Sequence, residues 1–376
     1  MDERQLIERF KWLHRHPELG FEERETTRFI LDTLRAEGVE TLDTGLPTGA
    51  IAVIQGDLPG GVVGLRCDID ALPVQEASGL DYSSEYPGRM HACGHDFHTA
   101  VMLGAAALLQ EMRAQLRGTV KIIFQPAEEL ASGAAKVAAT GLLNDMQAVF
   151  GVHTYPGFQA GTLGIKAGPV MAAPDRFAIV IRGLGTHGAQ PGKGIDPIPA
   201  LASLVLSLQT VVSRAVDPFD PAVLSITHVE AGNTWNVIPG EARLEGTVRT
   251  LTGPVRALVK EQLARHSQAI AQAFGCQAEL DYTDGPDPVI NDPGLCELAA
   301  QTARAQGLKV DAQENTMGGE DFSAYLAICP GAFIRVGTGG SHPNHHPAFT
   351  ADPAALWPAA RYCAALARDY LARQAD

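Results

Sequence analysis

The chain has 376 residues, the length of one large domain or of two ordinary ones. Hydrophobic residues make up 45% and charged residues 19%, which is typical of a globular protein with a substantial core and excludes general disorder. The 29 Lys and Arg residues are outnumbered by 43 Asp and Glu, so the formal net charge is −14. Because such a surface repels phosphate backbones and anionic lipids, neither nucleic acid nor a membrane is an expected partner.

The sequence also predicts where the protein resides. The first residues, MDERQLIERFKW, are charged throughout and lack the apolar stretch of a secretory signal. The longest apolar run without charge, Pro197 to Ser213, contains Ser, Gln and Thr, and we expect it to be too short to span a bilayer. The six cysteines are scattered without a CxxC pair, which is typical of reduced thiols. These features predict a soluble cytoplasmic protein.

The predicted elements of the first part of the chain alternate between helix and strand. Helical spacing or strand-like apolar runs occur, in chain order, at helix 5–12, helix 26–35, strand 50–55, strand 61–65, helix 99–109, strand 120–124 and strand 148–152. This alternation predicts an α/β fold with a mostly parallel sheet and helices on both faces.

The pattern changes after about Ala173. Here the order is strand 177–181, helix 198–212, strand 222–230, strand 241–249, helix 255–273 and strand 277–282. The order β-α-β-β-α-β is that of a ferredoxin-like unit. After Pro286 and Pro288 an apolar helix and strand return, and the chain ends with helix 353–372. We therefore predict a discontinuous α/β domain, 1–173 plus 286–376, with a smaller α+β domain inserted at 174–285.

The segment MHACGHDFH carries the clearest chemical signal. His91, Cys93, His95 and His98 fall within eight positions, directly before a predicted helix. Thiolate and imidazole are ligands that suit zinc, cobalt, nickel or manganese, and the neighbouring Asp96 could orient a ligating imidazole. A loop histidine pair beside a buried structural cysteine is the alternative, but such clustering favours a metal site.

Acidic and histidine side chains follow further predicted strands. They are Asp68 and Asp70 after strand 61–65, Glu128 and Glu129 after strand 120–124, His153 after strand 148–152, and the three histidines of the loop Gly339 to Pro347. Each set alone is equally typical of a solvated turn. Since ligand sites form at the carboxyl ends of parallel strands, their convergence predicts a dinuclear metal site. One glutamate of the pair would bind metal and the other accept a proton from the attacking water, and the spacing leaves open which does which.

A glycine motif in the inserted domain points to different chemistry. Gly183, Gly185 and Gly188 match GxGxxG after a strand, as in dinucleotide-binding proteins. That fingerprint needs a helix next and an acidic residue about twenty positions on, whereas Pro191 and Gly192 follow here. Nicotinamide binding is therefore not expected, and His187 is left as an imidazole on a glycine-rich loop.

Taken together, these motifs resemble the dinuclear metallopeptidase and amidohydrolase family of aminoacylases, hippurate hydrolases and auxin-conjugate (IAA-amino acid) hydrolases, relatives of glutamate carboxypeptidase. The matching segments, in family order, are Leu13 to Glu23, Arg66 to Pro73, His91 to Asp96, Pro126 to Glu129, Thr186 to Pro191, Asn236 to Pro239, Gly318 to Phe322 and His345 to Phe349. The resemblance implies a zinc-exopeptidase-like catalytic domain with an inserted lid that dimerises.

The resemblance also implies roles for single residues. The implied ligands of two divalent ions (Zn, Mn, Co or Ni) are Cys93, His95, Glu129, His153 and His345. Glu128 is the implied general base, and Asp68 matches an aspartate that orients the site. His187 matches a lid histidine that reaches the partner subunit's active site and stabilises the developing oxyanion, and Asn236 matches a lid residue that contacts substrate.

The function implied is hydrolysis of the amide bond in small N-acyl-L-amino acids of the N-acetyl or N-benzoyl type. N-acetyl-diaminopimelate deacetylation and dipeptidase- or carboxypeptidase-like activity are alternatives on the same site. A non-catalytic binding protein on the same fold is a third, but the complete ligand set with Glu128 present favours an enzyme. The expected partners are a small N-acyl amino acid and a second copy of the chain.

Overall fold

The computed structural model describes residues 1–373. Its strands are β1 (Glu40–Leu42), β2 (Ala50–Gln55), β3 (Leu58–Asp68), β4 (Arg117–Gln125), β5 (Ala148–Tyr155), β6 (Thr162–Gly164), β7 (Gly168–Met171), β8 (Ala173–Arg182), β9 (Thr186–His187), β10 (Ala222–Ala231), β11 (Val237–Ile238), β12 (Glu241–Thr250), β13 (Gln277–Thr283), β14 (Val289–Asn291), β15 (Lys309–Asp311) and β16 (Gly331–Gly337). The α-helices are α1 (Glu3–Arg15), α2 (Arg24–Ala36), α3 (His95–Glu111), α4 (Gly133–Ala139), α5 (Pro197–Thr210), α6 (Gly253–Ala273), α7 (Pro293–Ala305), α8 (Ser323–Leu326) and α9 (Leu356–Arg373).

The described residues divide into two compact units. The larger comprises 1–170, 290–314 and 321–373, and the smaller comprises 171–289 and 315–320. The segment 315–320 differs from the sequence-based division, which assigned it to the catalytic domain. Its backbone pairs instead with the smaller unit, where the N–H of Ala172 donates to the carbonyl of Gly318 at 2.9 Å.

The larger unit is built on a mixed sheet of eight strands in the order β1-β2-β4-β3-β5-β16-β6-β15. The central neighbours β4-β3, β3-β5 and β5-β16 are parallel, as is the outer pair β6-β15. Antiparallel pairing is found for β1-β2, β2-β4 and β16-β6. The prediction of an α/β fold with a mostly parallel sheet is confirmed.

Helix α3 lies at the centre of the larger unit. It is rich in Ala and Gly, and nearly all of its residues are buried between α1 and α9. A side chain at Gly104 would place its Cβ 2.9 Å from the Cβ of Ala360 and 3.1 Å from Leu6, so only glycine permits this approach. This packing fixes the N-terminus of α3 where β3, β4 and β5 end.

The smaller unit has a four-stranded antiparallel sheet in the order β10-β12-β8-β13. With α5 and α6 it follows the order β-α-β-β-α-β predicted from the sequence. Its own hydrophobic core includes Ile179, Leu204, Leu244 and Leu263. A short antiparallel ribbon of β9 and β11 carries the predicted lid residues.

One helix among residues 1–373 is long and apolar enough to cross a membrane, judged by length and composition only. Helix α5 continues through a π-helical turn, so the helical run Pro197–Ala215 has 19 residues. The charge-free run of the sequence ends before Arg214, and the helix reaches this length because it continues through Arg214 to Ala215. Its buried side chains include Leu201, Leu204 and Leu208, which belong to the core of the smaller unit, while Leu206 is exposed.

Candidate metal centre

The candidate site lies at the carboxyl ends of three adjacent strands of the larger unit. Strands β4, β3 and β5 are neighbours, and Asp68 at the end of β3 is in register with Gln125 at the end of β4. The N-terminus of α3, at His95, reaches the same edge. Short connections after each strand therefore bring distant parts of the sequence together, as expected for sheets of this type.

The predicted ligands form two overlapping groups of donor atoms. In each group the donor atoms lie within 4.8 Å of one another. Cys93, His95 and His153 make one group, and Cys93, Glu129 and His345 make the other. Between the groups, Nε2 of His95 lies 4.0 Å from Oε1 of Glu129. Cys93 belongs to both groups, and thiolate, imidazole and carboxylate donors of this kind would suit two divalent metal ions.

Hydrogen bonds orient two of the ligand histidines. In His153, Nδ1 donates to the carbonyl of Thr154 at 2.8 Å, which leaves the Nε2 lone pair 3.4 Å from Sγ of Cys93. In His95, Nδ1 donates to Oδ1 of Asp70 at 3.2 Å. A ligating imidazole whose other nitrogen bonds to a carbonyl or carboxylate is the usual arrangement in metal sites.

Asp70 supports two of the predicted ligands, a role that the sequence alone did not assign to it. Its Oδ2 accepts from the backbone N–H of Glu129 at 3.0 Å, while its Oδ1 holds His95. One buried carboxylate thus fixes a ligand from each side of the site. The spacing Asp-x-Asp after a strand was a signal for it, since alternate residues of an extended chain share a face.

Asp68 binds residues behind the ligands. Its Oδ1 accepts from Nδ1 of His98 at 2.5 Å, and its Oδ2 accepts from Arg66 at 2.8 Å. Nε2 of His98 accepts in turn from the backbone N–H of Thr154 at 2.7 Å, which fixes the strand end that carries His153. Although burial alone would raise it, His95, His98 and Arg66 together hold the pKa of Asp68 well below its usual range.

The guanidinium of Arg66 is fully buried and its hydrogen bonds continue this network. Besides Asp68 it donates to Oε1 of Gln125 at 2.8 Å and to Oδ1 of Asp321 at 3.1 Å. Gln125 donates to the same Oδ1 at 2.8 Å, and the N–H of Ala134 donates to Oδ2 at 2.9 Å. Asp321, from the predicted motif Gly318 to Phe322, is therefore a buried support for Arg66.

The loop that contributes His345 is held against the Cys93 loop by two residues. Asn344 donates to the carbonyl of Cys93 at 3.1 Å and to Oγ1 of Thr154 at 3.2 Å. The N–H of His345 donates to the carbonyl of Ala92 at 2.8 Å. His345 has φ = 69°, a left-handed conformation that is uncommon outside glycine and that aims its ring at Glu129, 3.3 Å away.

The two glutamates lie in a loop with an equally unusual backbone. Ala127 has φ = 53°, and its N–H donates to Oε1 of the fully buried Glu23 at 2.8 Å. A carboxylate oxygen of Glu128 lies within 4.8 Å of donor atoms of both His95 and Glu129. Glu23 thus fixes the turn that presents Glu128 and Glu129, a role that the sequence alone did not indicate.

The donor set passes one direct test for metal binding. Nε2 of His95 is buried and makes no hydrogen bond within residues 1–373, although it faces Cys93 and Glu129. A buried, unsatisfied polar atom costs free energy unless a ligand meets it. Thiolate, imidazole and carboxylate donors together match zinc-like divalent ions, so these residues fit the metal that the sequence predicts.

Comparisons with known proteins decide the family. The model of peptidase family M20/M25/M40 matches residues 64–369. The chain belongs to this family. It is 48% identical, over 96% of each chain, to an N-acetylcysteine deacetylase of Bacillus subtilis, and 44% identical to an N-acyl-L-amino acid amidohydrolase of Geobacillus stearothermophilus over 74% of this chain and 76% of that one.

A solved structure of an M20 member agrees over nearly the whole chain. The YXEP protein of Bacillus subtilis, described as a dinuclear metal binding peptidase, superimposes with a TM-score of 0.91, 45% identity and 98% coverage of both chains. The predicted family, fold and hydrolase class are therefore confirmed. The expectation of an enzyme that binds two metal ions agrees with this neighbour.

Two further histidines, His14 and His91, lie near the segment that carries Cys93 and His95 in this M20 hydrolase. His14 bridges two carboxylates, with Nδ1 2.6 Å from Asp96 and Nε2 3.1 Å from Glu76. Burial alone would lower the pKa of His14, but Asp96 and Glu76 raise it to about 9. His91 is completely buried, which lowers its pKa to about 4, so it is neutral. The sequence had given His14 no role.

The predicted lid residues lie together in the smaller unit. His187 of β9 is in register with Val237 of β11, and the N–H of Gly188 donates to the carbonyl of Asn236 at 2.8 Å. His187 is exposed and Asn236 is half-buried, next to a Trp235 side chain that is 93% exposed. This ribbon therefore presents an imidazole, an amide and an indole to solvent.

Proposed function

We propose that this M20 hydrolase cleaves the amide bond of small N-acyl-L-amino acids, such as N-acetyl or N-benzoyl amino acids, to give a free amino acid and a carboxylic acid. The observation that carries the proposal is the pair of donor groups sharing Cys93, with the carboxylate of Glu128 beside them. The names of the Bacillus and Geobacillus relatives support this substrate class.

The metal ligands are proposed to be Cys93, His95, Glu129, His153 and His345. Two divalent ions bound there would polarise an amide carbonyl and make water more acidic, which is the chemistry such ions supply in hydrolases. The donors suit zinc, manganese, cobalt or nickel.

The chain's own residues would move the protons. Glu128 is proposed to accept a proton from the attacking water and to return it to the departing amine nitrogen. Asp70 and Asp68 would hold the ligand histidines and their loop in place. His187 would donate a hydrogen bond to the developing oxyanion, and Asn236 would contact the substrate.

We also propose that the protein acts as a homodimer that assembles through the smaller unit. The ribbon with the exposed His187 and the half-buried Asn236 supports this, because its polar groups need a substrate or partner surface to act upon. A cytoplasmic location is proposed from the cysteines, since all six are free and buried.

The proposal is tested by metal removal followed by reconstitution. Exhaustive chelation is expected to abolish hydrolysis of N-acetyl and N-benzoyl amino acids, and Zn, Mn, Co or Ni added singly should restore it. Dipeptides and N-acetyl-diaminopimelate tested in parallel measure the alternative activities. Full turnover in protein shown by elemental analysis to be metal-free would contradict the metal mechanism.

A further inference from the structure

Arg335 lies directly beside a proposed metal ligand. It belongs to β16, which is parallel to β5, and its register partner on β5 is His153. Partner residues on adjacent parallel strands are about 5 Å apart and project from the same face of the sheet. The guanidinium lies over the ring of Tyr155, 4.6 Å from its centroid, and Tyr155 is two residues beyond His153 toward the end of the strand. Arg335 therefore lies beside the end of β5 that carries His153 and Tyr155.

Arg335 forms no close ion pair with a carboxylate among residues 1–373, although the charge of Glu314 acts on it from a greater distance. The residue is only 9% exposed, yet the ring of Tyr155 is its one polar or aromatic contact, and neither an ion pair nor a hydrogen bond joins it to the exposed Glu314. A guanidinium stays protonated at neutral pH. Since a buried cation without an anion is costly, and stacking on a ring offsets only part of that cost, the site lacks a negative charge.

A second buried polar side chain, Gln313, lies near Arg335. A Cβ on Gly164 of the adjacent strand β6 would lie 2.7 Å from the ring of Phe158, 3.1 Å from Cβ of Gln313 and 3.3 Å from Cβ of Arg335, so these side chains meet at this glycine. Gln313 is 2% exposed, its Oε1 has no hydrogen bond, and its Nε2 makes one long bond of 3.5 Å to Phe333. The Gln313 amide therefore has unused hydrogen-bonding capacity, and its Cβ and that of Arg335 lie close to the same glycine.

We propose that Arg335 and Gln313 form a carboxylate-binding subsite, so that the preferred substrates are N-acyl amino acids with a second carboxylate on the side chain or the acyl group. The inference rests on the proposed N-acyl amino acid hydrolysis and names its substrate class. A guanidinium offers two parallel N–H donors that match a carboxylate, and the face of Tyr155 holds the fork in place.

The first experiment compares substrates that differ in a single charge. For the metal-loaded enzyme, kcat/KM is measured for N-acetyl-L-glutamate against N-acetyl-L-glutamine, and for N-succinyl-L-alanine against N-succinamoyl-L-alanine. We expect the acidic member of at least one pair to be preferred by ~10–100-fold, the usual range for a charge-assisted hydrogen bond. The pair that shows the preference tells whether the side chain or the acyl group reaches Arg335.

Variants then assign the preference to this residue. Arg335→Gln should reduce the ratio within the responsive pair to about 1, and Arg335→Lys should retain part of it. Arg361→Gln, at an exposed arginine of α9, is the matched control and should leave the ratio unchanged. Calorimetric binding of glutarate and glutaramate gives a second readout, in which Arg335→Gln weakens glutarate only.

The outcomes distinguish a failure of this inference from a failure of the proposed function on which it rests. Equal rates within both pairs in the wild-type enzyme overturn the second-carboxylate subsite and leave N-acyl hydrolysis intact. A loss in Arg335→Gln that depends only on the carboxylate beside the scissile amide also overturns it. If no N-acyl amino acid is hydrolysed, the proposed function fails, and the glutarate measurement alone then decides whether Arg335 binds a carboxylate.

Discussion

Glu128 and Glu129 are adjacent in sequence, and their proposed roles predict different losses on substitution. Glu128→Gln keeps the shape of the side chain but cannot accept a proton, so we expect turnover to fall at least ~10²-fold with metal content unchanged. Glu129→Ala removes a ligand atom 3.3 Å from His345, so metal content should fall as well. Elemental analysis together with steady-state kinetics distinguishes the two. Metal loss in the first variant and not in the second would reverse the assignment.

His14 predicts a pH dependence of stability. Its folded-state pKa is raised from 6.5 to about 9 by the carboxylates of Asp96 and Glu76. The stabilisation is therefore fully present below pH 6.5 and is lost as the pH rises through about 9. We expect the difference in thermal midpoint between wild type and His14→Gln to be largest near pH 6 and smallest near pH 10. A difference that does not change over this range would contradict a charged His14.

The residue types of the candidate site could be predicted from the sequence, but most of the contacts that hold them in place could not. The donor residues and their positions directly after strands could be predicted, because an apolar run followed by His, Cys, Asp or Glu indicates a buried strand with a polar side chain at its carboxyl end. The contributions of Asp70, Asn344 and Glu23 were not readable. Each acts through a backbone group of a residue distant in sequence, and such contacts depend on the positive φ values of Ala127 and His345, which neither residue type favours.

At the scale of elements, the turn that leads into α3 sets the position of two ligands. Gly94 separates Cys93 from His95 with φ = 84°, and a Cβ there would lie 2.7 Å from both Oγ1 and Cγ2 of Thr154. Thr154 in turn donates to the carbonyl of Cys93 at 2.7 Å. The turn thus links the start of α3 to the end of β5, and a side chain at Gly94 would separate them.

Gly94→Ala is therefore expected to weaken metal binding by ~10-fold or more, in the range seen when groups that support metal ligands are lost. Gly88→Ala is the matched control, since Gly88 also has a positive φ of 74° but its Cβ would meet no atom within 4 Å. Both variants carry the backbone strain and only the first carries the clash. Titration of metal-free protein with Zn²⁺ measures the difference, and equal affinities in the two variants would refute this account of the turn.

Helices and strands with a buried face could be predicted from the sequence, whereas loops could not. Strands β2, β4 and β5 and helices α5 and α6 were predicted because burial on one or both faces imposes an apolar period. The segment 315–320 was assigned to the wrong unit because it lies in a loop, where no period exists. Likewise, the last three residues of the run Pro197–Ala215 were missed because the helix continues through polar Ser213 and Arg214.

At the scale of the whole molecule, the insertion of a complete ferredoxin-like unit explains why the site residues are spread along the chain. The smaller unit has its own core, and its main segment, 171–289, interrupts the sequence of the larger unit, so the predicted ligands of the larger unit come from both sides of the insertion. The composition signalled this insertion through the change from buried strands to alternating ones. It carried no information about assembly, because symmetry between copies leaves no local pattern in one chain.

The proposed role of His187 gives a prediction about that assembly. A donor directed at a developing oxyanion is typically worth ~10²–10³ in turnover, so His187→Ala should slow the reaction by about that factor with metal content unchanged.

If each His187 serves the partner subunit's site, a heterodimer of His187→Ala and Glu128→Gln subunits contains one site with both native groups and one with neither. Because about half of randomly paired dimers are mixed and half of their sites are intact, re-dimerised mixtures should regain up to roughly a quarter of wild-type activity. Mixtures kept from exchanging subunits are the control and should show no gain. No recovery after proven subunit exchange would mean that His187 acts in its own subunit or outside catalysis.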